Sequence, residues 1–388
     1  MEARPLRSAD IRARNEKLVL SMIRRRGGVS QSEVAQLTGL KPPTVFRIFQ
    51  GLEERGFILS CQEEKRNGER KGRRPSYYCV NGRALYVIGV DFWARSASAV
   101  VVDFAGEPVY RDVLDLSGIT GVEEILGRLE ELVREAIRQG GVDESRLLGI
   151  GVGAPGMVDI ETGVVLRYPR IAGMEGFPLR ERLEQSFQVP VHLHNNAAVI
   201  ALSEYRYGSV RERQSVLSLV LRAGVGGAFI QDGTLFVNQH RTALEVGHLA
   251  VDPAGPTCRC GRRGCLETFL SEEVLRREAG ADTVEEYFRA LAAGDAAALR
   301  VAEQAAERLL VAVYGLVNTF NPEALLIVTR SQALSEALSD AVREALTTLP
   351  PFAAAAERDI VPHEYDPVIA GQGAADLVFD GFFSTVGG

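Results

Sequence analysis

Four residues of one segment could hold a metal ion. His248, Cys258, Cys260 and Cys265 lie within "HLAVDPAGPTCRCGRRGC" at the spacing H-x9-C-x-C-x4-C. One imidazole and three thiols form a closed set of four soft ligands, the donor chemistry of tetrahedral structural zinc. Gly261 and Gly264 let the chain turn sharply around an ion. Arg259, Arg262 and Arg263 would offset the charge of three thiolates. Free thiols and a redox centre are the alternative readings. The segment runs directly into Glu267.

The rest of the chain must position this segment. Its 388 residues are 46% apolar, enough for two or three domains with sizeable cores. No uninterrupted apolar run approaches the ~18 residues of a membrane helix, so no membrane insertion is expected. The N-terminus is charged and lacks the apolar stretch of a signal peptide. A reducing cytoplasm is therefore the expected location, and disulfides are not expected there. Charge is divided unevenly: residues 1–80 hold 17 Lys and Arg against 9 Asp and Glu, and the remainder holds 27 against 42. A basic head on an acidic body points to a head that meets a polyanion.

Residues 1–82 read as a winged helix-turn-helix. "ADIRARNEKLVLSMIRRRGG" is a helix with Ile11, Leu18, Met22 and Ile23 on one side, ended by Gly27-Gly28. Ser30 and Glu33 have capping-box spacing, Val34 and Leu37 face inward, and Gly39 stops the second helix. A third helix opens on Pro42-Pro43 and places Val45, Ile48, Phe49 and Leu52 at i, i+3, i+4, i+7, one buried stripe. Its opposite face presents Lys41, Thr44 and Arg47, donors suited to phosphates and base edges in a major groove. Phe46 on that helix touches a thymine methyl or packs on a neighbour. Strands at 57–61 and 77–80 flank a basic wing whose Arg73 and Arg74 could enter a minor groove. Cys61 and Cys79, on those strands, read as half-buried, unlinked thiols. A three-helix bundle serving only as an interaction module is the alternative.

Residues 83–388 read as a duplicated α/β body. Three strands over "LYVIGVDFWARSASAVVVDFAGEPVYRDVLDL" recur as three strands over "SVLSLVLRAGVGGAFIQDGTLF", each set followed by helices. Two lobes with a cleft between them follow, and ligands favour such clefts.

The motif order resembles the repressor branch of the ROK family (repressors, open reading frames, kinases). "ALEVGHLAVDPAGPTCRCGRRGCLE" is the most specific match; "GVGAPGMVD", "HNNAAVIALSE", "VNTFNPEALLIV", "GAADLVFD", "TGLKPPTVFRIFQGLEERGFI" and "GRRP" fall in family order. The resemblance spans essentially the whole chain. It implies two actin/hexokinase-like, ribonuclease H-like α/β lobes behind the head: a first lobe at 83–197, to which 361–388 returns, and a second at 198–360 carrying the zinc segment. It names the same four metal ligands. It also gives Glu245, His248 and Glu267 contacts to sugar hydroxyls, with support of the zinc region as the alternative role of the two glutamates.

The resemblance also shows departures. The family's phosphate hairpin is glycine-rich, whereas this chain has Asp91-Phe-Trp-Ala-Arg-Ser96. The family's catalytic base is the Asp of N-D-A, whereas this chain reads Asn195-Asn196-Ala197, and an amide cannot act as a general base. Thr329-Arg330 stands where the family has Gly-Gly on the nucleotide side. Asn195 and Asn196 can still bind sugar hydroxyls, and the turn from Gly153 to Gly156 is expected to line the cleft. Arg170 replaces a usual Asn; it either favours an acidic or phosphorylated sugar or, the preferred expectation, points to solvent. The expected protein is thus a sugar-responsive regulator, most simply a repressor. It would dimerise on operator DNA and bind a sugar without phosphorylating it. An active kinase with an accessory head, or a DNA-binding regulator controlled by a protein partner, are the alternatives.

Overall fold

Capping chemistry sets the head. The computed structural model describes residues 8–61, 76–238, 242–348 and 358–384. Helix α1 (Ser8–Arg26) leads through β1 (Val29–Ser30) into α2 (Gln31–Thr38). There Ser30 Oγ accepts from the Glu33 N–H (3.2 Å) and Glu33 Oε2 accepts from the Ser30 N–H (2.9 Å). Helix α3 (Pro42–Glu54) buries the stripe Val45, Ile48, Phe49 and Leu52. Strands β2 (Ile58–Cys61) and β3 (Tyr77–Val80) pair antiparallel, and β1 adds to β3. The loop carrying Arg73 and Arg74 lies outside the described residues.

Three inward-facing expectations fail: Ile11, Leu18 and Leu37 are 46%, 45% and 47% exposed. Helix α1 buries Val19 and Leu20 together with the expected Ile23, because it docks on the body as well as on its own head. These residues join one apolar cluster with Val87, Phe104 and Phe379 of the body. The head is thus packed on the body rather than tethered to it. The expectation of unlinked Cys61 and Cys79 is also corrected: the two form a disulfide. The β2–β3 register sets Cys61 against Tyr77 and Leu59 against Cys79. The cysteines are therefore diagonal neighbours with Cα atoms 5.9 Å apart, inside the reach of a disulfide.

The body consists of two open five-stranded sheets of the same design. In the first, β4 (Tyr86–Trp93), β5 (Ser96–Asp103) and β6 (Pro108–Asp115) form an antiparallel meander. Helix α4 (Val122–Gln139) follows. Strand β7 (Leu147–Ala154) then pairs parallel to β4. A small hairpin of β8 (Met157–Asp159) and β9 (Val164–Arg167) and helix α5 (Leu179–Phe187) precede β10 (Val191–Asn195), parallel to β7. Helix α6 (Asn196–Tyr207) leads to the second sheet. There β11 (Ser215–Leu221), β12 (Val225–Gln231) and β13 (Thr234–Leu235) repeat the meander. Helices α7 (Glu267–Leu270), α8 (Glu272–Glu278), α9 (Val284–Ala292) and α10 (Ala296–Phe320) cover it. Strand β14 (Ala324–Thr329), helix α11 (Gln332–Thr348) and strand β15 (Asp359–Glu364) complete it, with β14 and β15 parallel.

Helix α12 (Pro367–Ser384) returns to the first sheet. Its close seating depends on absent side chains: a Cβ at Gly89 would stand 1.8 Å from the Gly371 carbonyl oxygen, and one at Gly151 1.8 Å from that of Ala374. Among the described residues no helix is long and apolar enough to cross a membrane.

Candidate functional site

A cavity of about 290 Å³ opens between the lobes, near the small end of the ~300–1,000 Å³ range of ligand pockets. Strand ends and turns build it, where backbone polar groups and side chains can face a ligand rather than a core. Asn195 caps α6: its Oδ1 accepts from the Ala197 N–H (2.8 Å) and its Nδ2 donates to the Gly156 carbonyl (2.6 Å). Most of that amide's capacity is therefore spent on holding the cavity wall. Asn196, next in the chain, also lines the cavity and is half-buried, and its side chain makes no hydrogen bond to the described residues. Gly153 is not on the cavity surface. It lies beneath, where a Cβ would meet Val199 at 2.5 Å and Asp91 Oδ1 at 2.9 Å; Pro155 and Gly156 form the wall above it.

Arg170 faces the cavity, contrary to the preferred expectation that it points to solvent. Its Nη2 donates to the Ala223 carbonyl at 2.5 Å and lies 3.9 Å from Glu267 Oε1. Glu267 opens α7; its Oε2 accepts from the Val225 N–H at 3.4 Å. Glu245 is reached by solvent through the cavity mouth yet is surrounded by protein. Its carboxyl is held above the ordinary range, first by incomplete hydration and then by the charge of Glu267. Glu245, Glu267, His248, Arg170 and Asn196 are thus brought to one cavity, together with Asn195.

The cavity borders the cysteine segment. The ligand atoms of His248, Cys258, Cys260 and Cys265 all lie within 4.8 Å of one another. Cys258 Sγ stands 3.6 Å from His248 Nδ1, and Cys260 Sγ stands 3.6 Å from Cys265 Sγ. Ligands ~2.3 Å from a central ion stand about 3.7 Å apart at the tetrahedral angle, so the donor set fits such an ion. Thiol chemistry agrees. Cys265 is pushed up to about 12 by burial and by the neighbouring sulfurs. Cys260, against the effect of its own burial, is brought down to about 7 by hydrogen bonds from Arg262. A bound cation is what would let all three ionise together. Gly264 makes the tight turn possible: it has φ +65°, and a Cβ there would lie 1.5 Å from the Asp252 carbonyl oxygen.

Residue-level reading of the sequence missed a second cluster at the cavity floor. Arg222 follows β11, lines the cavity and has a side chain only 5% exposed. Its Nη1 donates to Asp91 Oδ2 (3.2 Å), which also accepts from Tyr365 Oη (2.7 Å). Its guanidinium lies 4.4 Å from the Tyr365 ring and 5.8 Å from Trp93. Burial holds the Asp91 carboxyl above its ordinary range, against the pull of Arg222. Nearby, Arg330 pairs with Glu272 through Nε and Nη2 (2.7 and 2.8 Å) and lies 5.4 Å from the Trp93 ring. The available signal was a charged residue ending the otherwise apolar run "SVLSLVLR".

On the head, Lys41 and Arg47 are exposed and Thr44 is half-buried on the outer side of α3, next to Phe46, which is 56% exposed.

Fold and site together define a two-lobed, sugar-kinase-like body fused to a winged helix-turn-helix head. The chain belongs to the ROK family: residues 87–380 match its profile, and residues 13–67 match that of the MarR family. It is 28% identical to the xylose repressor of Caldicellulosiruptor bescii over 86% of this chain and 87% of that one. It is 29% identical to the glucokinase of Thermotoga maritima over 67% of this chain and 86% of that one. The crystal structure of a ROK family transcriptional regulator, a homologue of the E. coli MLC protein, shares the fold. It superposes with a TM-score of 0.80 at 21% identity and covers 97% of this chain and 99% of that one.

Proposed function

We propose that this protein is a cytoplasmic, sugar-responsive repressor. The units are the head (1–82), a first lobe (83–197 with 361–388) and a second lobe (198–360). The head binds operator DNA through Lys41, Thr44 and Arg47 of α3, with Arg73 and Arg74 of the wing. A homodimer presents two heads to a palindromic site. The inter-lobe cavity binds a sugar through Asn196, Glu245, His248 and Glu267, with Arg170 at its flank. His248, Cys258, Cys260 and Cys265 hold structural zinc, which would fix the loop carrying His248 and the start of α7 carrying Glu267.

One observation carries this reading: helix α6 runs from the cavity to a carboxylate of α12 that it shares with the head. Helix α6 begins at Asn196 on the cavity and ends at Arg206 and Tyr207. Arg206 Nη1 lies 3.0 Å from Asp376 Oδ2 of α12, and Tyr207 Oη donates to Asp376 Oδ1 at 2.9 Å. Arg24 of α1 lies 3.9 Å from the same carboxylate, donates to the Phe104 carbonyl (3.1 Å) and stacks at 3.8 Å on Phe379. A sugar that shifts the start of α6 therefore acts on the packing of the head.

No phosphoryl transfer is proposed. Asn196 cannot take a proton from a hydroxyl. The two segments that the resemblance assigns to nucleotide contact lie against each other, with the Arg330 guanidinium 5.4 Å from the Trp93 ring. The test is a gel shift with upstream DNA, with and without a panel of sugars. DNA affinity that no sugar changes would refute the sensor role, and ATP-dependent turnover of any sugar would refute the non-enzymatic one.

A further inference from the structure

The disulfide of the head plays no part in the cavity or the zinc site. It joins Cys61 to Cys79 across β2 and β3, which already pair through their backbones. A core does not depend on it: Val34, Val45, Phe49, Leu52 and Ile58 are fully buried, and their cluster continues into the body. Disulfides staple small domains that lack such a core. In a reducing cytoplasm a bridge is characteristically transient and redox-sensing instead. Both cysteines are only half-buried, and accessible bridges are the ones that exchange.

The bridge also sits among the contacts that hold α3. A Cβ at Gly28 would stand 3.6 Å from each sulfur, so the bridge lies against the turn between α1 and β1. Tyr78, next to Cys79, sets its ring edge-on against Phe49 of α3, with centroids 5.2 Å apart. Phe49 follows Arg47 by two positions, on the helix assigned to DNA. Among the described residues, β3 is the one strand that pairs with β2. Opening the bridge therefore leaves β2 joined to β3 by a single antiparallel ladder.

We propose that Cys61 and Cys79 form a thiol–disulfide switch that sets the DNA affinity of the head. Closed, the bridge fixes β3 and Tyr78 against α3; open, that support loosens and operator binding weakens. The co-reactant is a low-molecular-weight thiol. Its thiolate attacks one bridge sulfur, and the other cysteine leaves as a thiolate and takes up a proton. A second thiolate attacks the mixed disulfide and releases the first cysteine, which is protonated in turn. Two small thiols thus give up two electrons and two protons, and the products are two cysteine thiols and one small-molecule disulfide. Oxidation is the reverse exchange. This rests on the reading of the protein as a cytoplasmic DNA-binding regulator, and it acts independently of the sugar.

The experiment equilibrates the full-length, zinc-loaded protein in mixtures of reduced and oxidised glutathione. Mass spectrometry measures the fraction of Cys61 linked to Cys79, elemental analysis follows zinc, and fluorescence anisotropy with upstream DNA measures affinity. The bridge is expected to open in reduced glutathione and to reform when oxidised glutathione is added. Affinity should fall about tenfold on opening and return on closure, in step with the linked fraction and with zinc retained. The variant C61S/C79S, which keeps Cys258, Cys260 and Cys265, should stay at the weaker affinity in every mixture. A bridge that survives excess reduced glutathione in the folded protein overturns the proposal. Equal affinity of the linked and opened forms also overturns it, as does a glutathione response that persists in C61S/C79S. If that variant fails to fold, the correlation between linked fraction and affinity in the unaltered protein decides by itself, and its absence overturns the proposal. Failure of both forms to bind upstream DNA overturns the DNA-binding reading and this inference with it.

Discussion

Asp376→Asn should separate stability from signalling. Asp376 is 1% exposed and sits between Arg206 (3.0 Å) and Arg24 (3.9 Å). Burial pushes its carboxyl up, and both arginines pull it down. Removing one partner of a buried ion pair typically costs about 3–5 kcal/mol. Here the loss is smaller, because Arg206 keeps Asp380 at 2.7 Å and Arg24 keeps the Phe104 carbonyl and the Phe379 ring. Asparagine also retains an acceptor for Tyr207. We therefore take about 2 kcal/mol, somewhat below that range. A chain of this length that unfolds as one unit has an unfolding entropy of ~0.8 kcal/mol/K, so Tm should fall by about 2–3 °C. Fluorescence anisotropy with operator DNA supplies the second readout. The ratio of DNA affinities without and with effector should shrink about fivefold, equivalent to the loss of ~1 kcal/mol of coupling. A normal ratio in a variant whose Tm has fallen would refute the α6–α12–α1 route. An unchanged Tm would refute the energetic reading of the network.

Three further outcomes are expected. Cys260→Ser should lose bound zinc, measured by elemental analysis, and should blunt the effector response because the clip no longer fixes the start of α7; Glu267→Gln should blunt the response with zinc retained. Arg47→Ala should weaken operator binding and lower the slope of log affinity against log salt by about 1 if Arg47 contacts a phosphate; an unchanged slope would remove it from the phosphate contacts. Reducing the Cys61–Cys79 bridge, which closes a segment of 18 residues, should destabilise the head by about 3 kcal/mol, read as increased hydrogen exchange in β2 and β3, and Cys61→Ser should reproduce the effect without reductant.

Much of this was legible because it depends on local chemistry. The capping box at Ser30 and Glu33, the α3 stripe and the strand meanders follow from spacing alone. So did the convergence of His248 with the three cysteines, since nearly all of that geometry lies within one short segment. What failed depends on distant packing. Ile11 and Leu18 were grouped on one side of α1, but the first sheet and α12, far along the chain, decide which side of α1 is covered. Cys61 and Cys79 were read as unlinked from the expected compartment, whereas the β2–β3 register brings them together regardless of compartment. Gly153 was placed on the cavity because its neighbours are there; strand alternation turns it toward α6 instead. The role of Arg222 depends on Asp91, which is 131 positions earlier in the chain, and no local pattern reports such a pairing.

Side chains of the segments that the family resemblance assigns to the nucleotide side join the lobes. Asp91 and Trp93 belong to β4 of the first sheet, whereas Arg222, Arg330 and Tyr365 follow strands of the second. Asp91 bonds both Arg222 and Tyr365, and Trp93 lies over Arg222 and Arg330. These contacts span the cleft and need no bound nucleotide to form. A ligand shifts a conformational equilibrium only by its difference in affinity between the states. Under the proposed function, a sugar in the cleft would be the ligand that favours one lobe arrangement over another. On the same reading, these Asp91 contacts would brace the lobes without a nucleotide, and sugar binding at the start of α6 would be the event that bears on the head.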